Sequence, residues 1–133
     1  GEPLIRLGEV VEISKYLKEK YPELKIRINT NGHANAIFKR NIVPDIAPFV
    51  DTVSVSLNAE NEEKYNLISK PNIPNAYEEV KRFIRACLEE GVDTVASVVS
   101  SVPNYPVDVE RCEKIAKSLG AKFRNREFIV NGY

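Results

Sequence analysis

Residues 76–99 read AYEEVKRFIRACLEEGVDTVASVV, and a change of period inside this stretch decides the fold. Over 76–90 the apolar residues Val80, Phe83, Ile84, Cys87 and Leu88 fall on one stripe of a 3.6-residue repeat, with Glu, Lys and Arg opposite. Gly91 supplies the left-handed stop that closes such a helix. Residues 92–99 then run β-branched and almost uniformly apolar, which reads as a strand covered on both faces. A helix delivering the chain straight into a buried strand is half of a βαβ unit.

The same alternation extends in both directions. Upstream, Thr52-Val53-Ser54-Val55-Ser56-Leu57 alternates as a strand, and Asn58 and a short helix over about 60–68 follow it. Residues 35–47 read as a weak helix or connector, interrupted by Pro44 and ended by Pro48. Leu24 to Asn29 alternates as another strand, closed by the turn residues Thr30-Asn31-Gly32. Residues 8–20 are helical, with Val10, Val11, Ile13, Tyr16 and Leu17 read as mostly one stripe, stopped by Tyr21-Pro22. Downstream, Asp108 caps a helix whose stripe is Val109, Cys112, Ile115, Ala116 and Leu119, Gly120 ends it, and residues 122–130 form a last strand. About four strands joined by helical crossovers imply an α/β fold with parallel strands, a single domain over residues 1–133. The opening Gly1-Glu2-Pro3-Leu4 runs from a turn into a helix, as a βα loop does after its strand. The reading is therefore an incomplete parallel (β/α) barrel that starts in mid-repeat.

Composition bounds the function without naming it. The 133 residues hold 43% hydrophobic and 29% charged side chains, a globular balance. Lys+Arg and Asp+Glu are 19 each, which argues against a nucleic-acid binder. No apolar run is long enough to span a bilayer and no signal segment opens the chain, so the expectation is a cytoplasmic domain with no membrane partner. The 2 cysteines, Cys87 and Cys112, sit inside apolar helical stripes, where cysteine acts as a small hydrophobe. The single histidine, His33, is expected in a solvent-exposed loop, since it has no second ligand beside it. Asp45, Asp51 and Asp93 read as turn or solvated residues, and Glu60, Glu62, Glu63 and Lys64 as the first turn of a helix.

Ligands of parallel α/β folds bind at the carboxyl ends of strands. The segments in that position are Gly1-Glu2-Pro3, Thr30-Asn31-Gly32, Ser56-Leu57-Asn58 and Val99-Ser100-Ser101. All are small and polar, as βα turns often are for conformational reasons alone. In this order they resemble the radical S-adenosylmethionine (SAM) superfamily. Gly1-Glu2-Pro3 is similar to the end of its GGEP motif, and Ile28-Asn29-Thr30-Asn31-Gly32 to its strand-three segment. Residues 53–58, followed by Glu63, Tyr65 and Ser69-Lys70-Pro71, are similar to its strand-four region, most of all in the branch described as TatD-associated radical SAM proteins.

The resemblance implies SAM as cofactor. It gives Gly1 and Glu2 the amino group of the methionine moiety and lets Thr30 and Asn31 line the same pocket. It points Ser56 and Asn58 at the carboxylate or ribose, and sets Val99 and Ser100 beside the adenine. It also implies a [4Fe–4S] cluster held by a CxxxCxxC loop, which this sequence does not contain. The expectation is a fragment of a radical SAM enzyme, lacking strand one, the cluster loop and most of strand two. Reductive SAM cleavage and radical chemistry would then belong to the complete protein and the chain would be inactive alone. The alternative is a non-catalytic α/β binding or assembly module, pairing with a second copy or a partner chain through an open sheet edge. An ordinary cluster-free barrel enzyme would want a Lys, Glu or His base where Asn31, Ser56 and Asn58 stand.

Overall fold

A computed structural model describes residues 2–100 and 105–126. A 3-10 turn, Pro3–Arg6, leads into α1 (Leu7–Lys20), β1 (Arg27–Thr30), α2 (Ala34–Phe38) and α3 (Val43–Ile46). Then come β2 (Thr52–Ser56), α4 (Glu62–Ser69), α5 (Ala76–Glu89), β3 (Asp93–Val99), α6 (Val109–Leu119) and β4 (Lys122–Arg126). The strands form one sheet in the order β1-β2-β3-β4, and every neighbouring pair is parallel. This is the architecture expected of an incomplete parallel barrel.

Register decides which residues face the core. Thr30, Val55, Ala96 and Phe123 lie in one row across the sheet. Val55 and Ala96 are fully buried, and Phe123 packs against the same apolar cluster. That row and its alternates Ile28, Val53 and Val98 face the helices, because side chains switch faces at every residue. The opposite face carries Asn29, Ser54, Val95 and Lys122 in one row and Ser56, Ser97 and Arg124 in the next. The helix α5 buries Ala76, Tyr77, Val80, Phe83, Ile84 and Cys87, a full helical stripe against the sheet.

The ends of the elements are set by local chemistry. The Asn61 side chain accepts from the Lys64 backbone N–H at 2.8 Å to start α4, and Asp108 accepts from that of Arg111 at 3.1 Å to start α6. Gly120, at φ +93°, closes α6 while Ala121 N–H returns to the Ala116 carbonyl at 3.0 Å.

Three expectations need correction. Ile13 and Tyr16 are 58% and 55% exposed, because α1 turns Leu7 and Ser14 inward and leaves these two on its far side. β1 begins at Arg27 rather than at Leu24, which is exposed, and it extends through Thr30. Asp51 and Asp93 are ion-paired rather than merely solvated. Asp51 accepts from Lys18 Nζ at 2.6 Å and from the Ile26 N–H at 2.8 Å, joining α1, the entry to β1 and the entry to β2. Asp93 pairs with Lys122 Nζ at 2.9 Å and accepts from Thr52 Oγ1 at 3.2 Å, tying three strands at their amino ends. Of the last predicted strand, residues 127–130 lie outside the described residues.

The side-chain hydrogen bond from Lys18 holds the Asp51 carboxyl below its ordinary range, and that from Lys122 does the same for Asp93. A depressed carboxyl stabilises the fold fully above its unfolded value of about 4, and that stability drains as the pH falls through the lower folded value. The urea midpoint is therefore expected to hold from neutral pH to about 5 and to drop below about 4. Asp51→Asn should cost about 1 kcal/mol at pH 7 and flatten the acid limb. An unchanged acid limb in that variant would remove Asp51 from the account.

Candidate functional site

Parallel strands in chain order bring all their carboxyl ends to one side of the sheet, and the polar segments read from the sequence meet there. Glu2 is the tie between the first two. Its Oε1 accepts from the Asn31 N–H at 2.8 Å, and its Oε2 accepts from Thr30 Oγ1 at 2.6 Å and from the Leu4 N–H at 3.2 Å. Thr30 is buried, and its hydroxyl also accepts from the Gly32 N–H at 3.1 Å. Thr30 thus shapes the loop, whereas Asn31 stands half-buried at its mouth. The Asn31 Oδ1 accepts from the His33 N–H at 3.0 Å, and its Nδ2 has no partner among the described residues.

The second segment is fixed from β3. The N–H groups of Leu57 and Asn58 both donate to the Ser97 carbonyl, at 2.9 and 3.2 Å. That holds Asn58 in a left-handed conformation at φ +65°, which Asn tolerates better than most residues. Asn58 Nδ2 donates to Ser69 Oγ at 2.9 Å, while its Oδ1 has no partner among the described residues. Ser56, half-buried, lies beside Ser97 on the face away from the helices. Val99 ends β3 next to Arg126, and the Ser100 N–H donates to the Arg126 carbonyl at 3.3 Å. Gly1 lies outside the described residues.

His33 does not take the exposed position expected of it. It is 8% exposed, and its Nε2 lies 2.6 Å from the Tyr65 hydroxyl, with the rings edge to face. Burial lowers the His33 pKa, partly opposed by Glu2 and Glu79, so the neutral imidazole is favoured. Tyr65 is itself buried, raised in pKa by that burial, and also hydrogen-bonded to Ser69. A chain of contacts therefore runs His33–Tyr65–Ser69–Asn58 and joins the loop after β1 to the loop after β2. Tyr65 stood in the matched sequence, but its partner 32 residues away did not announce itself.

Glu60 is the other residue whose place differs from expectation. It precedes the Asn61 cap instead of opening the helix, and it is 7% exposed. Its Oε2 accepts from the Asp108 N–H at 3.1 Å and pairs with Lys64 Nζ at 3.4 Å, while Oε1 is buried with no hydrogen-bond partner among the described residues. It bridges the turn after β2 to the start of α6.

The residues at the strand ends fit SAM better than they fit a cluster. Asn31 Nδ2, Asn58 Oδ1 and the Ser56 hydroxyl are unspent donors and acceptors at one end of the sheet, the groups a zwitterionic nucleoside requires. No group of three His, Cys, Asp or Glu among the described residues is arranged to hold a metal ion. Cys87 and Cys112 are buried, and burial pushes both thiols up to about 12. At pH 8 that leaves a thiolate fraction of about one in ten thousand, and clusters require thiolates. Neither thiol is expected to react with Ellman's reagent in the folded chain, and both should react in urea. Fast labelling of the native protein would overturn that burial.

Among the described residues no helix is long and apolar enough to cross a membrane. No curated protein matches the chain. Among solved structures, a domain of pyruvate-formate lyase-activating enzyme from Bacteroides vulgatus ATCC 8482 superposes with a TM-score of 0.61 at 14% identity. The match covers 95% of this chain and 94% of that one, and it shows a shared fold. The sequence itself matches the Radical SAM superfamily over residues 1–119, which takes in the loops after β1, β2 and β3. Parallel strands in chain order, polar loops gathered at their carboxyl ends and this match agree: the chain belongs to the radical SAM superfamily.

Proposed function

We propose that this chain supplies the SAM-binding wall of a radical SAM enzyme, in the TatD-associated branch, and performs no reductive cleavage by itself. One observation carries the binding half. Glu2 fastens the first loop to β1 so that Asn31 faces the same sheet end as Asn58 and Ser56. In this reading Asn31 and the Glu2 backbone meet the methionine moiety, Ser56 and Asn58 the carboxylate or ribose, and Val99 and Ser100 flank the adenine. Thr30 positions the Asn31 loop, and the His33–Tyr65–Ser69 contacts hold the Asn58 loop against it. Bound beside a reduced [4Fe–4S] cluster, SAM supplies radical chemistry. The thiols of this chain are not placed to carry that cluster.

The test is calorimetric titration of the chain with S-adenosylhomocysteine, beside iron and sulfide reconstitution. Binding is expected, with Asn31→Ala and Asn58→Ala each weakening it by about tenfold. Reconstitution is expected to give no cluster absorbance. Absence of binding would overturn the wall assignment, and a chain that takes up a cluster and cleaves SAM would overturn the second half.

A further inference from the structure

Among the described residues eight large apolar side chains are exposed, and five of them, Ile5, Ile13, Tyr16, Tyr21 and Leu24, lie on α1 or at its two ends. The core face of α1 runs through Leu7, Val10, Val11, Ser14, Leu17 and Lys18, all buried or half-buried. Glu9, Glu12, Ile13, Tyr16 and Lys20 recur at the same three- and four-residue spacing half a turn round, and all five are exposed. Tyr21 joins this second stripe, because Lys20 Nζ lies 5.6 Å from the centre of the Tyr16 ring and 5.9 Å from that of Tyr21. α1 therefore has two organised faces, of which the fold covers one.

The outer stripe carries opposite charges at its two ends. Glu9 and Glu12 stand toward the amino end and Lys20 at the carboxyl end. Lys20 Nζ donates to the Tyr16 hydroxyl at 3.1 Å and has no carboxylate partner among the described residues. Glu9 pairs with Arg6 at 3.2 Å, but both side chains are well exposed, so the pair is weak. Two copies packed in parallel through this stripe would set Glu on Glu and Lys on Lys. Packed antiparallel, about a twofold axis midway between Ser14 and Lys15, Ile13 faces the partner's Tyr16, Glu9 the partner's Lys20, and Ile5 the partner's Leu24. The same axis brings the partner's Tyr21 to Gly8, at the border of a hollow of about 600 Å³ lined also by Ile5, Val11 and Phe38. A Cβ at Gly8 would meet nothing within 4 Å, so a ring has room there. Charge, apolar pair and hollow thus all find their complement in a second copy. The stripe has no basic excess, which a helix lying on a membrane surface would need.

We infer that α1 pairs antiparallel with α1 of a second copy of this chain, with Ile13 and Tyr16 at the centre and a Glu9–Lys20 pair on either side. A helix of 14 residues gives a seam at the small end of specific interfaces, so the dimer is weak and concentration-dependent. It uses neither the strand ends nor the open edge of β1.

Sedimentation equilibrium of the chain from about 10 μM to about 1 mM tests the pairing. A monomer–dimer equilibrium is expected. Ile13→Asp should weaken it by about tenfold, as should Lys20→Glu, which sets acid against acid. Glu9→Lys combined with Lys20→Glu exchanges the charges, and should bind at least about threefold tighter than Lys20→Glu alone. All three positions are exposed, so the urea midpoints should not move. A chain still monomeric at about 1 mM overturns the inference. So does a dimer indifferent to Ile13→Asp, which would pair elsewhere, as along the edge of β1. A double variant no tighter than Lys20→Glu overturns the antiparallel register.

Discussion

Gly32→Ala is expected to lower the unfolding free energy by about 3 kcal/mol, from a strained backbone and an overpacked core together. Gly32 sits at φ +79°, where an L side chain is disfavoured, and a Cβ there would stand 2.9 Å from Val55 Cγ1 and 3.5 Å from Val80 Cα. Val55 and Val80 are both fully buried, so neither gives way cheaply. Gly91 is the control, since it has a similar φ of +75° and nothing within 4 Å of the added atom. Gly91→Ala should cost only about 1 kcal/mol, the backbone share alone. Urea midpoints of both variants decide the matter, and equal losses would show that crowding at Gly32 contributes nothing. Because Gly32 stands between Asn31 and His33, the alanine variant should also lose S-adenosylhomocysteine affinity.

Glu2→Ala is expected to cost about 2–3 kcal/mol, the loss of charge-assisted hydrogen bonds to groups that stay buried. The carboxylate receives Thr30 Oγ1, the Asn31 N–H and the Leu4 N–H, so its removal strands the buried threonine hydroxyl and loosens the loop it shapes. Thr30→Val in the same background should then cost less than it does alone, with a coupling of about 1 kcal/mol. Additive losses would mean that the two side chains act separately. If the proposed SAM wall holds, S-adenosylhomocysteine affinity should fall as well, because Asn31 depends on Glu2 for its place.

Much of the fold was legible because its elements carry strong periods. The stripes of α5 and α6, the alternation in β2 and the apolar run of β3 each needed only near neighbours to be read. What failed was decided at a distance. Ile13 and Tyr16 belong to a helix with apolar residues on more than one side, and only the packing of α1 selects which side is buried. His33 is buried by Tyr65 from another element, and Glu60 is drawn inward by the Asp108 N–H, 48 residues away. The strand-end segments were found from order alone, but the division of labour within them was not. Thr30 and Asn31 are adjacent in sequence, yet pleat and register turn one to the core and leave the other at the mouth.

The sequential order of the strands has a kinetic side. Among the described residues each strand pairs only with its neighbours in chain order, so the sheet grows by addition and no pairing has to wait for a distant segment to thread past another. The closures differ in span, from 25 residues between Ile26 and Asp51 to 41 between Thr52 and Asp93. That difference is worth only about 0.4 kcal/mol of loop entropy, too little to rank the steps. Apolar contact ranks them instead, and the β2–α5–β3 unit, with the deepest stripe and two central strands, is the natural nucleus on which the outer strands condense.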